Sequence, residues 1–121
     1  MAPLPLAGLI LAATDPDQVA AFYREVLELP LQREQHGRIR EHWEGEVNHI
    51  HFAILPKGQR QTGSTLTPSF AVSNLAGFLE RLSERGIQPL HTVIDLGDGK
   101  RVTTICDVEG NTIRLIQIET R

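Results

Sequence analysis

The strongest constraint on this chain is that its second half repeats its first. Shifting the sequence by 59 positions lays Ala12 on Ala71, Glu25 on Glu84, Pro30 on Pro89 and Leu31 on Leu90. Asp15 falls on Asn74, and both residue types are favoured helix N-caps. Beyond Leu31 a shift of 63 brings Arg38 onto Arg101, Glu46 onto Glu109, Asn48 onto Asn111 and Ile50 onto Ile113. The change of shift has an obvious home. His36-Gly37 reads as a tight turn in copy one, and Leu96-Gly97-Asp98-Gly99-Lys100 as a longer turn in copy two. Turns accept insertions at small cost. Self-similarity of this kind means one supersecondary unit used twice.

Each copy reads as a strand, a helix and three strands. Leu6–Ala13 is the first strand, and Asp15-Pro16 is an N-cap followed by proline at the first helical position, where its missing N–H does no harm. Val19, Phe22, Tyr23, Val26 and Leu27 recur at helical spacing. In copy two Asn74 caps, Leu75, Phe78, Leu79 and Leu82 form the stripe, and Gly86 supplies a left-handed C-cap. Strands are expected at about 31–35, 38–44 and 47–55, then at 90–96, 101–106 and 112–118. The expectation is an α+β fold in one domain, a tandem βαβββ repeat. Its modules are 6–55 and 67–118, joined by a 56–66 linker, and they form a curved mixed sheet around a cup with the helices outside.

Alternation assigns faces, because successive strand side chains point to opposite sides. Leu9, Leu11, Ile50, Phe52 and Ile54 belong under the first helix, with Phe70, Val72, Ile113 and Leu115 under the second. Gly8, Ile10, Ala12, His49, His51, Thr67, Ser69, Ala71 and Arg114 then face the cup.

Composition removes several classes of function. The net charge is −3, and the 12 Lys and Arg form no basic stripe, so a nucleic-acid partner is not expected. No apolar run reaches the roughly 20 residues of a membrane span. The apolar start lacks a basic n-region and carries Pro3 and Pro5, so it reads as a strand rather than a signal peptide. The lone Cys106 excludes an internal disulfide and fits a cytoplasmic protein. Cys106 has no neighbouring histidine to activate it as a nucleophile.

The chain resembles the vicinal oxygen chelate superfamily, which includes glyoxalase I, bleomycin-resistance proteins, fosfomycin-resistance enzymes and extradiol dioxygenases. The resemblance runs from about Leu6 to Ile118. It rests on the repeat, on Thr14-Asp15 followed by Ala21-Phe22-Tyr23-Arg24-Glu25-Val26-Leu27, and on Asp107-Val108-Glu109-Gly110-Asn111. Val108 stands where the family usually has proline, and Glu28 where it usually has glycine. The resemblance implies four inward positions that hold a metal in metal-dependent members, one on the first and one on the last strand of each copy. Taken from the repeat, these are Gly8, His51, Thr67 and Arg114, of which only His51 is a competent ligand. A fixed guanidinium would repel a divalent ion. The metal site implied by the family is therefore expected to be lost, and no cofactor is expected.

Residues with chemistry remain. His51 is a candidate hydrogen-bonding group or general base, the one candidate catalytic residue. His49 and His51, at i and i+2 on one strand face about 7 Å apart, are an alternative metal pair that would need Glu41, Glu44 or His42 as a third ligand. Arg114 needs an anionic partner: a ligand carboxylate or phosphate, or an internal Glu41, Glu44 or Glu46. Trp43 lines the cup if Glu41 does; otherwise Arg40 and His42 do. The candidate ligand-binding set is His49, His51, Thr67, Arg114 and Trp43. The expectation is a small-molecule-binding protein without the usual metal, holding an organic ligand, a carboxylate-bearing one among the candidates. The alternative is a lyase, isomerase or dioxygenase with one divalent ion at His49 and His51. Small relatives of this type pair as homodimers, and the same is expected here.

Overall fold

The computed structural model describes residues 7–35, 41–57 and 66–118. It forms two compact units, Met1–Ser64 and Thr65–Arg121. The first contains β1 (Gly8–Ala13), α1 (Pro16–Glu25), β2 (Gln32–Glu34), β3 (His42–Val47) and β4 (Ile50–Pro56). Its sheet has the order β1-β4-β3-β2, with β1 parallel to β4 and the other pairs antiparallel. The second contains β5 (Ser69–Ala71), α2 (Leu75–Glu84), β6 (Ile94–Gly97), β7 (Lys100–Cys106) and β8 (Thr112–Ile118), in the order β5-β8-β7-β6. Here β5 is the parallel partner of β8. This is the α+β tandem βαβββ arrangement with two mixed four-stranded sheets.

The helices begin where the side-chain chemistry directs. The Asp15 carboxylate accepts from Gln18 N–H at 3.2 Å, and the Asn74 side chain accepts from Gly77 N–H at 3.1 Å. Each cap satisfies one of the donors that a helix start leaves open. Helix α1 buries Val19, Ala20, Phe22 and Tyr23 against Leu11, Phe52 and Ile54, and the Tyr23 and Phe52 rings lie 5.5 Å apart. In the second unit Leu75 and Leu82 are buried, as are Thr103, Ile105, Ile113 and Leu115. The Gln117 side chain accepts from Leu75 N–H at 2.7 Å, tying α2 to β8.

The turn between the third and fourth strands of the first unit falls later than the expected strand bounds of 38–44 and 47–55 place it. Asn48-His49 is a two-residue turn between β3 and β4, with φ of 50° and 68°. Positive φ at both central residues suits the twist of a hairpin, and asparagine tolerates it best among residues with a Cβ. The expected strand at 47–55 is thus broken, and β3 ends at Val47 rather than near residue 44. The expected His36-Gly37 turn, with residues 38–40, and most of the 56–66 linker lie outside the described residues.

Register corrects the repeat in its last strand. Gly8 pairs with His51. Thr67 stands as far before its helix cap as Gly8 does, and its hydroxyl meets that of Thr112 at 2.6 Å. The counterpart of His51 is therefore Thr112. Arg114 pairs with Ser69, two residues further along β8. The shift of 63 aligned identical residues but overran the register by two. A slip of two leaves the alternation unchanged, so the hydrophobic pattern does not expose it.

Gly45 is crowded by backbone and Glu28 is strained. Gly45 passes the Pro30 backbone so closely that a Cβ would sit 2.3 Å from the Pro30 carbonyl oxygen. Glu28 holds a left-handed φ of 57° just beyond α1. We expect Gly45→Ala to cost about 1–3 kcal/mol of stability by overpacking against backbone. Glu28→Gly should gain roughly 0.5–1 kcal/mol, the relief of the left-handed strain exceeding the added chain entropy. Denaturant melts of the two variants check both.

Candidate functional site

Each sheet has one face under its helix and one turned away. On the first unit's helix-distal face β1 presents Gly8, Ile10 and Ala12, and β4 presents His51 and Ala53. Cross-strand pairing adds Glu44 and Glu46 from β3, with Glu34 and His42 one pair away. The polar centre is tight. Glu44 Oε2 lies 3.0 Å from His51 Nε2 and 3.4 Å from His42 Nε2. Exposure falls inward, from 52% for the His51 side chain to 17% for Glu44 and 4% for His42. Sequence reasoning offered Glu44 as an extra metal ligand or a partner of Arg114, and His42 as an extra metal ligand or a residue lining the cup. Their joint hold on His51 was not foreseen, because β3 runs three residues further than expected.

Trp43 does not join this face. It lies on the helix side, where Nε1–H donates to the Asp17 carboxylate at 2.8 Å. The guanidinium carbons of Arg24 and Arg33 stand 5.1 and 5.4 Å from its ring centroid, within cation–π range. Arg33 also binds Asp17 at 2.7 Å and Glu41 at 3.4 Å. A cavity of about 350 Å³ is walled by Asp17, Arg33, Glu41 and Trp43 among others. The guanidinium in its wall is already engaged by Asp17 and Glu41. Trp43 is thus corrected from a wall of the histidine face to a clamp on α1. His49 is corrected as well. It sits in the hairpin turn, not on a strand face two residues before His51, so the geometry on which the alternative His49/His51 metal pair rested is not present.

On the second unit's helix-distal face Arg114 is exposed, flanked by its partners Ser69 and Thr104. Thr104 Oγ1 lies 3.1 Å from His91 Nε2, and His91 Nδ1 lies 2.8 Å from the Thr92 carbonyl oxygen. A carbonyl only accepts, so in the neutral ring Nδ1 donates and the Thr104 hydroxyl donates to Nε2. That turns the threonine's lone pairs outward beside Arg114. Among the described residues of this unit no carboxylate pairs with Arg114. The Asp107–Asn111 turn is structural: Asp107 is buried and accepts from Glu109 N–H, Asn111 N–H and the Asn111 amide, with Gly110 at φ 81°.

The metal positions can now be tested by donor chemistry. Gly8 has no side chain, and Thr67 and Thr112 spend their hydroxyls on each other. His51 is the one good ligand of the four, and among the described residues no cluster of three His, Cys, Asp or Glu could hold an ion. A divalent metal does not fit this donor set.

A βαβββ unit used twice, with one polar face per sheet, defines a scaffold class. The chain belongs to the Glyoxalase/Bleomycin resistance protein/Dioxygenase superfamily, whose model matches residues 6–115. No curated protein matches its sequence. Among solved structures it is similar to TnmS3, an antibiotic-binding protein from Streptomyces sp. CB03234. That match has a TM-score of 0.80, 19% identity and coverage of 98% of this chain and 99% of that one. An integron cassette protein from the mobile metagenome of V. cholerae matches with a TM-score of 0.73 and 18% identity, over 98% of each chain. A lactoylglutathione lyase from Agrobacterium tumefaciens matches at 0.68 and 17%, covering 96% of this chain and 95% of that one. At these identities the likeness is one of fold. No helix among the described residues is long and apolar enough to cross a membrane.

The Trp43 clamp gives a pH prediction. Hydrogen bonds from Trp43 and then Arg33 hold the Asp17 carboxyl below the usual carboxylate range. A lowered value means the pairing is intact at neutral pH and is lost as pH falls through it. We expect the emission of the single tryptophan to change only below about pH 3.9. Asp17→Asn should abolish that change.

Proposed function

We propose that this protein binds a small organic molecule through an anionic or strongly accepting group. Arg114 supplies the donors, and no divalent metal takes part. The observation that carries the reading is the exposed guanidinium of Arg114 on a helix-distal face with no carboxylate partner in its own unit among the described residues. A planar guanidinium binds a carboxylate or phosphate through two parallel hydrogen bonds. The antibiotic-binding relative on the same scaffold supports the small-molecule reading. Fold alone does not decide it.

A second reading has its own observation. The His51–Glu44 pair gives His51 the oriented form of a general base, which fits a metal-free isomerase or lyase. The metal-dependent lyase, isomerase or dioxygenase loses its support with the displacement of His49 into the turn.

Homodimer formation belongs to the same proposal. The edge strand of the first sheet is short and polar, Gln32-Arg33-Glu34, as protected edges are. The corresponding edge of the second is apolar: Leu90, Val93, Ile94 and Leu96 are all 41–56% exposed. A second copy would cover it.

The test is direct. Benzoate and related aromatic carboxylates are titrated against the wild type and Arg114→Ala by calorimetry. Loss of the charge-assisted pair should weaken binding by roughly ten- to a hundredfold with the melting curve unchanged. Equal affinity in the two proteins removes Arg114 from the site. Stoichiometric Zn, Ni, Fe or Mn after gentle purification would overturn the metal-free reading.

A further inference from the structure

We infer that His51 is a hydrogen-bond acceptor toward its ligand, held in that state by Glu44, so that this face selects a molecule bearing a hydroxyl, phenol or N–H donor. The inference rests on the small-molecule reading above and adds the chemistry of the group bound on the first unit.

The carboxylate of Glu44 decides which nitrogen of His51 carries the proton. Ionised Glu44 only accepts, so the ring nitrogen facing it, His51 Nε2 at 3.0 Å, carries the proton in the neutral imidazole. The other nitrogen, Nδ1, then carries a lone pair. Among the described residues Nδ1 has no partner, and the His51 side chain is half exposed. Glu44 is itself constrained. It is 17% exposed and faces His42, which is 4% exposed and 3.4 Å away, so the carboxylate is held from the interior side. A surface glutamate without such a hold would sample many rotamers and fix no tautomer.

Two neighbours extend the case. Gly8 is the parallel-strand partner of His51, and a Cβ there would come within 3.0 Å of the His51 carbonyl oxygen. Its missing side chain leaves that flank of His51 open. Glu46 is the antiparallel partner of His51 and adds a second acceptor to the same face. A ligand group arriving here meets a lone pair and a carboxylate, so a donor is favoured and a carboxylate is repelled. Glu44 is a positioning residue, since it acts through His51.

Imidazole nitrogen spectra of the intact protein at pH 8, with His51→Ala to assign the signals, read the tautomer without any ligand. The wild type should carry its His51 proton on Nε2. Glu44→Leu should move both ring nitrogens toward tautomer averaging, and Glu44→Gln, which keeps an acceptor oxygen, should restore the wild-type pattern. Protonation on Nδ1 in the wild type, or an unchanged spectrum in Glu44→Leu, overturns the inference. If Glu44→Leu does not fold, the wild-type tautomer and the probe pair below still decide it. Phenol and anisole differ by the donor alone. Phenol should shift His51 Nδ1 and bind roughly five- to tenfold tighter than anisole. An equal response, or none to phenol, overturns the ligand class. Benzoate binding at Arg114 is read separately. Its failure with the His51 results intact sinks the anionic-ligand reading and spares this one.

Discussion

Everything in the two units hangs on the parallel pairing of the first strand with the last. β1 on β4 and β5 on β8 set which side chains stand abreast, and the helix between first and second strands covers one side of that pair. A parallel pair cannot be closed by a hairpin, so the intervening helix and two strands are the connection it requires. Once Gly8 stands beside His51, the neighbours of His51 follow: Glu46 across β3, Glu44 one pair further, and an open flank at Gly8. The chemistry of the site is thus a consequence of register more than of any single residue.

Register is also what sequence patterning reads least well. The element order, the helices with their caps and the buried strand faces were legible, because alternation and helical spacing report burial directly and Asp15 and Asn74 are unambiguous caps. Placement along a strand was not. Moving β8 by two residues keeps Ile113 and Leu115 under the helix, so Arg114 could be taken for the counterpart of His51 when Thr112 holds that place. His49 misled for a related reason. In Val47-Asn48-His49-Ile50 the alternation runs on through the turn, and only positive φ at two residues, one of them not glycine or asparagine, marks the break. Trp43 was ambiguous in a charged strand. Its face was settled by Asp17 and two arginines, none adjacent to it in sequence.

The duplicated unit has diverged in charge while keeping its frame. The helix-distal face of the first copy carries acceptors, Glu44, Glu46 and the outward nitrogen of His51. That of the second carries donors and hydroxyls: Arg114, Thr104, Thr67 and Thr112. The core positions do not share this divergence. Phe52 and Ile54 in one copy and Ile113 and Leu115 in the other are all buried and apolar. Burial constrains size and polarity on one face of a strand and leaves the alternate residues free to change.

That freedom lets the donor set at the metal positions implied by the family change while the scaffold is kept. A metal needs several ligands converging on one point, and Gly8, Thr67 and Thr112 do not supply them beside His51. Hydrogen-bond recognition has no such threshold. In the proposed reading, one imidazole with a fixed tautomer and one guanidinium without a carboxylate partner among the described residues of its unit each recognise a group of opposite type. What they need in place of coordination geometry is a rigid hold from behind. For His51 that hold is Glu44, backed by the buried ring of His42. For the second face, Thr104 is fixed through His91 and the Thr92 carbonyl. The polar chains behind these residues therefore supply, for the proposed recognition, the rigidity that a ligand set supplies to a metal, and they do so within each sheet.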